Sequence, residues 1–347
     1  MKVALLGLEG DFSPNRGAGI QRYMFELYKN LIKLDKNIKK IEFKRLRYIG
    51  DGNSFILQTL FANFSDYKII HNLMPITFLK PRILYKGILI TTVHDFQPIL
   101  FPQFTFAHGA AFKDKMWLEF VIKPGFKSAL SSDYLICNSS QTKEEAVKLG
   151  FDKNRLFVVN LGIDERFITP IYQKKYKDKF IVGYLGAMRK RKNLEFGIKA
   201  ANAIKSKDIF FDIWGKKEFE YEYLVSISKN KNINFKGFAP EERIVDIYDS
   251  FDAFIFPSYH EGEGLPILEA QSRGIPVIIY KYGKIPKEVR KYCFEAESPE
   301  HMAQIIENLK ENGYNEKLKK KATAYARSFT WEKCAKETLK VYKKVLE

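Results

Sequence analysis

Residues 257–276 read PSYHEGEGLPILEAQSRGIP, and their order decides how the rest of the chain is read. Glu261 and Glu269 stand eight positions apart, with Gly262, Gly264, Leu265 and Pro266 between them. Proline has the φ of a first helical position, so Pro266 opens a helix and Glu269 falls in its first turn or so. Gly274 closes that helix and Ile275 begins a strand. The expected unit is strand, glycine turn, helix, strand. Its helix N-terminus offers bare N–H groups that attract anions, phosphates above all. The two carboxylates cannot bind phosphate and are better suited to accept hydrogen bonds from sugar hydroxyls.

The pattern PS-x-x-EG-x-GLP-x-x-EA, with two Glu separated by seven residues, resembles family 4 of the retaining glycosyltransferases, the glycosyl transferases group 1 with the two-domain GT-B fold. The resemblance implies that Glu261 lies by the donor sugar and that Glu269 binds the ribose of a sugar nucleotide. It also implies that the backbone from Gly262 through Glu263 and Gly264 to Leu265 holds sugar and diphosphate. Glu263 departs from the family, which usually has Phe there, and this bears on the donor-sugar side of the pocket.

Composition sets wider bounds. A chain of 347 residues, 46% hydrophobic and 15% aromatic, has enough apolar material for two globular domains and is not a disordered chain. Cys137, Cys293 and Cys334 have no paired spacing and no histidine cluster, which points to a reducing compartment and no structural zinc. The opening MKVALLGLEGDF has too short an apolar run for a signal peptide and reads as a first strand. No run reaches the ~18 apolar residues that cross a bilayer. A cytoplasmic protein, soluble or peripheral on the cytoplasmic membrane face, is expected. The net charge of +17 favours anionic partners: nucleic acid, anionic lipid or phosphorylated substrates.

Strand-like and helix-like stretches alternate along the chain. KVALLGL (2–8) is a strand, followed by a loop with Gly17-Ala18-Gly19-Ile20-Gln21-Arg22-Tyr23 and a helix from Ile20 to Leu34. Small residues there serve a plain tight turn or the close approach of a ligand backbone. The resemblance, through a frequent GGI-x-R-Y, places Gly19 beside the diphosphate. KLDKNIKKIEFKRLR (33–47) is read as a solvated basic face in preference to a specific lipid or nucleic-acid patch, with a short strand around Ile41, Phe43 and Leu46. Strands at 67–73 and 88–93 follow, and the second ends in His94-Asp95. Open α/β sheets bind ligands at the carboxyl ends of their strands. The resemblance, through a frequent TIHD, makes His94 a donor-sugar contact, whereas His71 is read as structural. Residues 96–127 interleave Phe101, Phe104, Phe106, Phe112, Trp117, Phe120 and Phe126 with Lys113, Lys115, Lys123 and Lys127. Core plus solvated face and a membrane-seated acceptor lip both fit that pattern.

Strands at 132–139 and 155–160 flank a helix at 141–149, and Gly162 and Asp164 match the family's V-P-N-G-V-D. The polar stretch at 170–179 is read as the interdomain linker. A second series starts with KFIVGYLG (179–186), whose loop brings Arg189, Lys190, Arg191 and Lys192 to a helix that Asn193 is suited to cap. The resemblance, through G-x-L-x-x-RKN, assigns the diphosphate to Lys192 beside Arg191. Further strands at 209–215, 233–238, 252–258, 277–280 and 292–296, with helices at 218–228, 241–250 and 299–311, complete the series. Residues 329–346 have helical spacing, and the resemblance to the GT-B fold implies that this helix crosses back to the first domain.

The expected architecture is α/β: two doubly wound domains facing a cleft, residues 1–169 on the acceptor side and 170–328 on the nucleotide-sugar side, with 329–347 packing on the first. The expected reaction moves a sugar from a UDP- or GDP-type nucleotide sugar to an acceptor hydroxyl, on a lipid-linked or surface glycan, with retained configuration. The sequence has no D-x-D, so Arg191, Lys192 and helix termini are expected in a metal's place, with no cofactor. Two other classes fit parts of the pattern: a degenerate sugar-nucleotide binder, permitted by Glu263, and a basic nucleic-acid-binding or nucleic-acid-glycosylating protein. The latter lacks helix-turn-helix, zinc and RNA-binding signatures.

Overall fold

Short apolar runs alternating with amphipathic helices bury both faces of a strand only in a parallel sheet covered on each side. The computed structural model has two such sheets and describes residues 1–13, 19–44, 58–59, 61–75, 87–104, 116, 118–169 and 179–347.

The first unit comprises residues 1–102, 109–162 and 330–347. Its strands are β1 (Val3–Leu8), β2 (Ile38–Phe43), β3 (Ile69–Asn72), β4 (Ile88–Val93), β5 (Tyr134–Cys137) and β6 (Leu156–Val158). All pair in parallel, in the order β2-β1-β3-β4-β5-β6. Every residue of β1 is buried, as its central place requires. Helix α1 (Ile20–Leu34) buries Tyr23, Met24, Leu27 and Leu31, one apolar stripe at helical spacing, and packs against the C-terminal helix (Trp331–Lys344). Helices α2 (Lys123–Leu130) and α3 (Ser140–Lys148) follow, α3 capped by Ser139, whose Oγ accepts from the Thr142 amide.

The second unit comprises residues 103–108 and 163–329. In chain order it contains β7 (Phe180–Leu185), α4 (Leu194–Ala203), β8 (Ile209–Trp214), α5 (Tyr221–Ser226), β9 (Ile233–Gly237), α6 (Ile244–Asp249), β10 (Ala253–Phe256), α7 (Leu265–Ser272), β11 (Val277–Tyr280), β12 (Phe294–Ala296), α8 (Pro299–Asn312) and α9 (Glu316–Arg327). The strands are parallel in the order β12-β11-β10-β7-β8-β9. Successive strands run outward from β7 on one side and from β10 on the other. The order therefore reverses between β7 and β10, the place where doubly wound sheets bind ligands.

Several expectations shift. β2 starts at Ile38 because its register pairs Ile38 with Val3; Leu46 lies outside the described residues. Helix α9 was not anticipated: it buries only Ala322 and Ala326, too little apolar surface to show a period against its lysines. Most of the stretch read as a linker, 170–178, lies outside the described residues, and the chain changes unit between Gly162 and Ile163. In the aromatic and basic segment, Phe106, Phe112, Trp117, Lys113 and Lys115 also lie outside them. Of the rest, Phe126 is core against Phe96, Phe120 is exposed, and Phe104 stacks on Tyr259 within the second unit.

Candidate active site

Because β7 and β10 are neighbours, the loops that leave them emerge side by side. The loop after β10 is pinned on both flanks. The Tyr259 amide donates to the Arg191 carbonyl at 2.9 Å, the Glu261 amide to Lys284 O at 2.8 Å and the Lys284 amide to Tyr259 O at 2.8 Å. With its backbone so held, Glu261 meets the loop after β7. Lys192 Nζ donates to Oε1 at 2.8 Å and Arg191 Nη1 to Oε2 at 3.3 Å. Arg191 Nη1 also donates to the His260 carbonyl at 3.1 Å, and the Lys192 ammonium sits 5.1 Å from the centre of the Phe256 ring.

Glu261 is 5% exposed. Burial raises a carboxyl pKa, but the Arg191 and Lys192 charges outweigh it and bring Glu261 down to about 2. The carboxylate is therefore ionised at neutral pH, and the triad carries two positive charges against one negative.

Two expectations about this loop are corrected. Asn193 occupies the N-cap position of α4 but does not cap: it is left-handed, with φ 51°, and its Nδ2 donates to the Pro257 carbonyl at 3.0 Å. A capping side chain turns back from an extended residue, which this backbone is not. Nor do the four cations act as one group at the helix start: Arg189 pairs with Glu218 through both Nε and Nη2, whereas Arg191 and Lys192 turn to Glu261.

Helix α7 starts at Leu265, so Pro266 is its second residue and Glu269 its fifth, just past the first turn. Gly264 before it is left-handed (φ 82°, ψ 39°), a conformation glycine adopts without steric cost. The first turn has no acidic side chain and no side-chain cap. At the far end Gly274 (φ 73°) donates to Gln271 O and Ile275 to Ala270 O, a Schellman closure. Glu269 is buried and accepts from Tyr248 Oη at 2.9 Å. Gly262, Glu263 and Gly264 are buried and Leu265 half-buried. A groove of about 530 Å³ runs past the same loops, lined among others by Arg189, Asn193, Glu195, Phe219, Tyr223 and Tyr259.

Gly19 and His94 belong to the first unit, the other candidates to the second. Gly19 immediately precedes α1, whose first turn has neither an acidic residue nor a side-chain cap; Gly17 and Ala18 lie outside the described residues. His94 follows β4, with Nε2 3.2 Å from Leu73 O. A carbonyl only accepts, so Nε2 carries the proton and Nδ1 is the acceptor. Burial lowers the His94 pKa, against smaller upward pulls from the Leu73 carbonyl and Asp95. Tyr23 packs edge-to-face on the imidazole, 4.8 Å between ring centres. Among the described residues no group of three or more His, Cys, Asp or Glu is placed to hold a metal ion, and no helix is long and apolar enough to cross a membrane.

Residues 168–329, within the second unit, match the family model for glycosyl transferases group 1. The match covers a little under half of the chain. This glycosyltransferase is 25% identical over 285 residues to O-antigen chain mannosyltransferase B of Escherichia coli, covering 77% of this chain and 72% of that one. Further relatives are matched over about half of their own length. Among solved structures it is similar to sucrose-phosphate synthase from Thermosynechococcus elongatus, with a TM-score of 0.77, 18% identity and 99% of both chains covered. It is also similar to Anabaena HepE in complex with UDP-glucose, with a TM-score of 0.70, 16% identity, and 99% of this chain and 100% of that one covered. The fold of the glycosyltransferase is GT-B. Sequence reasoning missed Tyr248 as the partner of Glu269 and Pro257 as the partner of Asn193. Neither has a local signal, because each contact joins segments that only the sheet order brings together.

Proposed function

We propose that this glycosyltransferase is a retaining, metal-independent enzyme that moves a hexosyl group from a UDP- or GDP-type nucleotide sugar to a hydroxyl of a lipid-linked or surface glycan. The observation that carries the proposal is the triad of Glu261, Arg191 and Lys192. The bond from the anomeric carbon to the diphosphate oxygen breaks, the acceptor oxygen bonds to that carbon on the same face, and the acceptor proton passes to the departing phosphate. A carboxylate held at about 2 is too weak a base to take that proton itself. Each of its oxygens already faces a cation, which disfavours a covalent sugar–carboxylate intermediate.

Arg191, Lys192 and the uncapped first turn of α7 meet the charge that develops on the leaving diphosphate. Glu269, oriented by Tyr248, accepts from the ribose hydroxyls. Gly19 and His94 are assigned to the diphosphate and the donor sugar. The similarity to a protein solved with UDP-glucose and to an O-antigen mannosyltransferase supports the donor and acceptor classes. The +17 charge supports a peripheral place on an anionic cytoplasmic membrane face.

The test is a thermal-shift screen of UDP-, GDP-, ADP- and dTDP-sugars with and without EDTA, followed by NMR of the product anomer. Stabilisation by one donor unaffected by EDTA, with retained configuration, is expected. An EDTA-dependent shift or an inverted product overturns the mechanism. Stabilisation by duplex DNA alone would move the protein to the nucleic-acid class.

A further inference from the structure

The first unit contains a buried polar relay that the reaction above does not use. Tyr342, on the C-terminal helix, lies with Oη 2.6 Å from His71 Nδ1; His71 Nε2 is 2.7 Å from Thr92 Oγ1; Thr92 Oγ1 is 2.9 Å from Tyr23 Oη. All four side chains are at most 2% exposed. His71 lies on β3, Thr92 on β4 two residues before His94, and Tyr23 on α1 with its ring against the His94 imidazole.

Hydrogen-bond accounting gives the relay a direction. Among the described residues Tyr342 Oη has one hydrogen-bond partner, His71 Nδ1, so a buried phenol proton is satisfied only by donation to that nitrogen. His71 is thereby the Nε2–H tautomer and donates to Thr92. Thr92 Oγ1, accepting from His71, shares a second hydrogen bond with Tyr23 Oη, in which either hydroxyl can donate. Burial, with the neighbouring His94 adding to it, brings the His71 pKa down to about 3, so the ring stays neutral and keeps one accepting nitrogen. The relay thus orients Tyr23, and Tyr23 supports the face of a His94 whose Nε2–H is committed to Leu73 O.

We propose that Tyr342, His71 and Thr92 are positioning residues for His94, so that the C-terminal helix sets the orientation of an imidazole on β4 through a directed hydrogen-bond relay. This rests on the assignment of His94 to the donor sugar. Two near-isosteric variants break the relay at different points, Tyr342→Phe and Thr92→Val. Each should lower kcat for hydrolysis of the stabilising donor, UDP-glucose or GDP-mannose, about fivefold with KM within about twofold. The double variant should lose no more than either single one, because a relay already broken cannot be broken again. In ¹⁵N-histidine NMR spectra, Tyr342→Phe should shift His71 away from the Nε2–H tautomer and move the His94 ring resonances.

Additive kcat losses, or a lowered melting temperature with unmoved His94 resonances and unchanged kcat, overturn the relay and leave a structural role. His94→Ala separates this from the underlying assignment. If it retains full turnover, the donor-sugar role of His94 fails, and positioning with it. If it abolishes turnover while Tyr342→Phe moves neither kcat nor the His94 resonances, only the relay fails.

Discussion

Each unit buries a polar constellation, and the two solve the cost of burial in opposite ways. In the second unit Glu261 stays charged because Lys192 and Arg191 stand 2.8 and 3.3 Å away. In the first unit His71 stays neutral because it is buried, and the hydroxyls that complete its hydrogen bonds supply no counter-charge. A buried group keeps its charge only where an opposite charge is built beside it. Charge is thus retained where the proposed diphosphate needs cations, and removed where the fold needs fixed orientation.

The largest break in this comparison is Lys192→Ala. It should lower turnover by ~10²–10³-fold through the lost stabilisation of the leaving group. Leaving Glu261 with one cation should also cost roughly 2–3 kcal/mol of stability. Isothermal titration with the free nucleoside diphosphate checks the assignment, since unchanged affinity would remove Lys192 from the diphosphate site.

Acid titration distinguishes the two constellations next. The His71 pKa is lower folded than unfolded, so its contribution is full above pH 6.5 and is lost as pH falls toward about 3. That of Glu261 is also depressed, so its contribution is full above pH 4.5 and is lost as pH falls toward about 2. The His71 window, with the larger shift, is worth more than the Glu261 window. Denaturant melts of His71→Gln should lose the slope between pH 6.5 and 4.5, and those of Glu261→Gln only the slope below 4.5. The reverse pattern would show that the charge states are exchanged.

Glu269→Ala should have a smaller effect, weakening nucleotides with an intact ribose about tenfold, while a 2′,3′-dideoxy nucleotide binds both forms alike. Equal weakening of both ligands would detach Glu269 from the ribose. Smallest of all, Arg189→Ala removes a half-exposed guanidinium from its pair with Glu218 and should change stability by less than about 1 kcal/mol. A larger shift in the unfolding midpoint would mean that the loop after β7 depends on all of its cations, and not on Arg191 and Lys192 alone.

Much of the fold was legible because its signals are local. Gly264 and Gly274 take left-handed backbone, and Pro266 falls where its missing N–H is harmless, so the turn, helix and closure around the two carboxylates could be read directly. The bounds of α1, Ile20 to Leu34, followed from one apolar stripe. Helix α9 was missed for the converse reason, since alanines leave little stripe to see. Asn193 was legible as a helix boundary but not as a contact: only the adjacency of β7 and β10 puts the Pro257 carbonyl within its reach.

By itself, then, the sequence determined the α/β elements and their turns, because sterics and hydrophobic period act within a few residues. The tertiary structure alone decided that Glu261 would be ionised by cations 69 and 70 residues away, and that His71 would take its tautomer from a tyrosine 271 residues away. Coulomb attraction and hydrogen bonding depend on distance in space, which strand order sets and sequence separation does not.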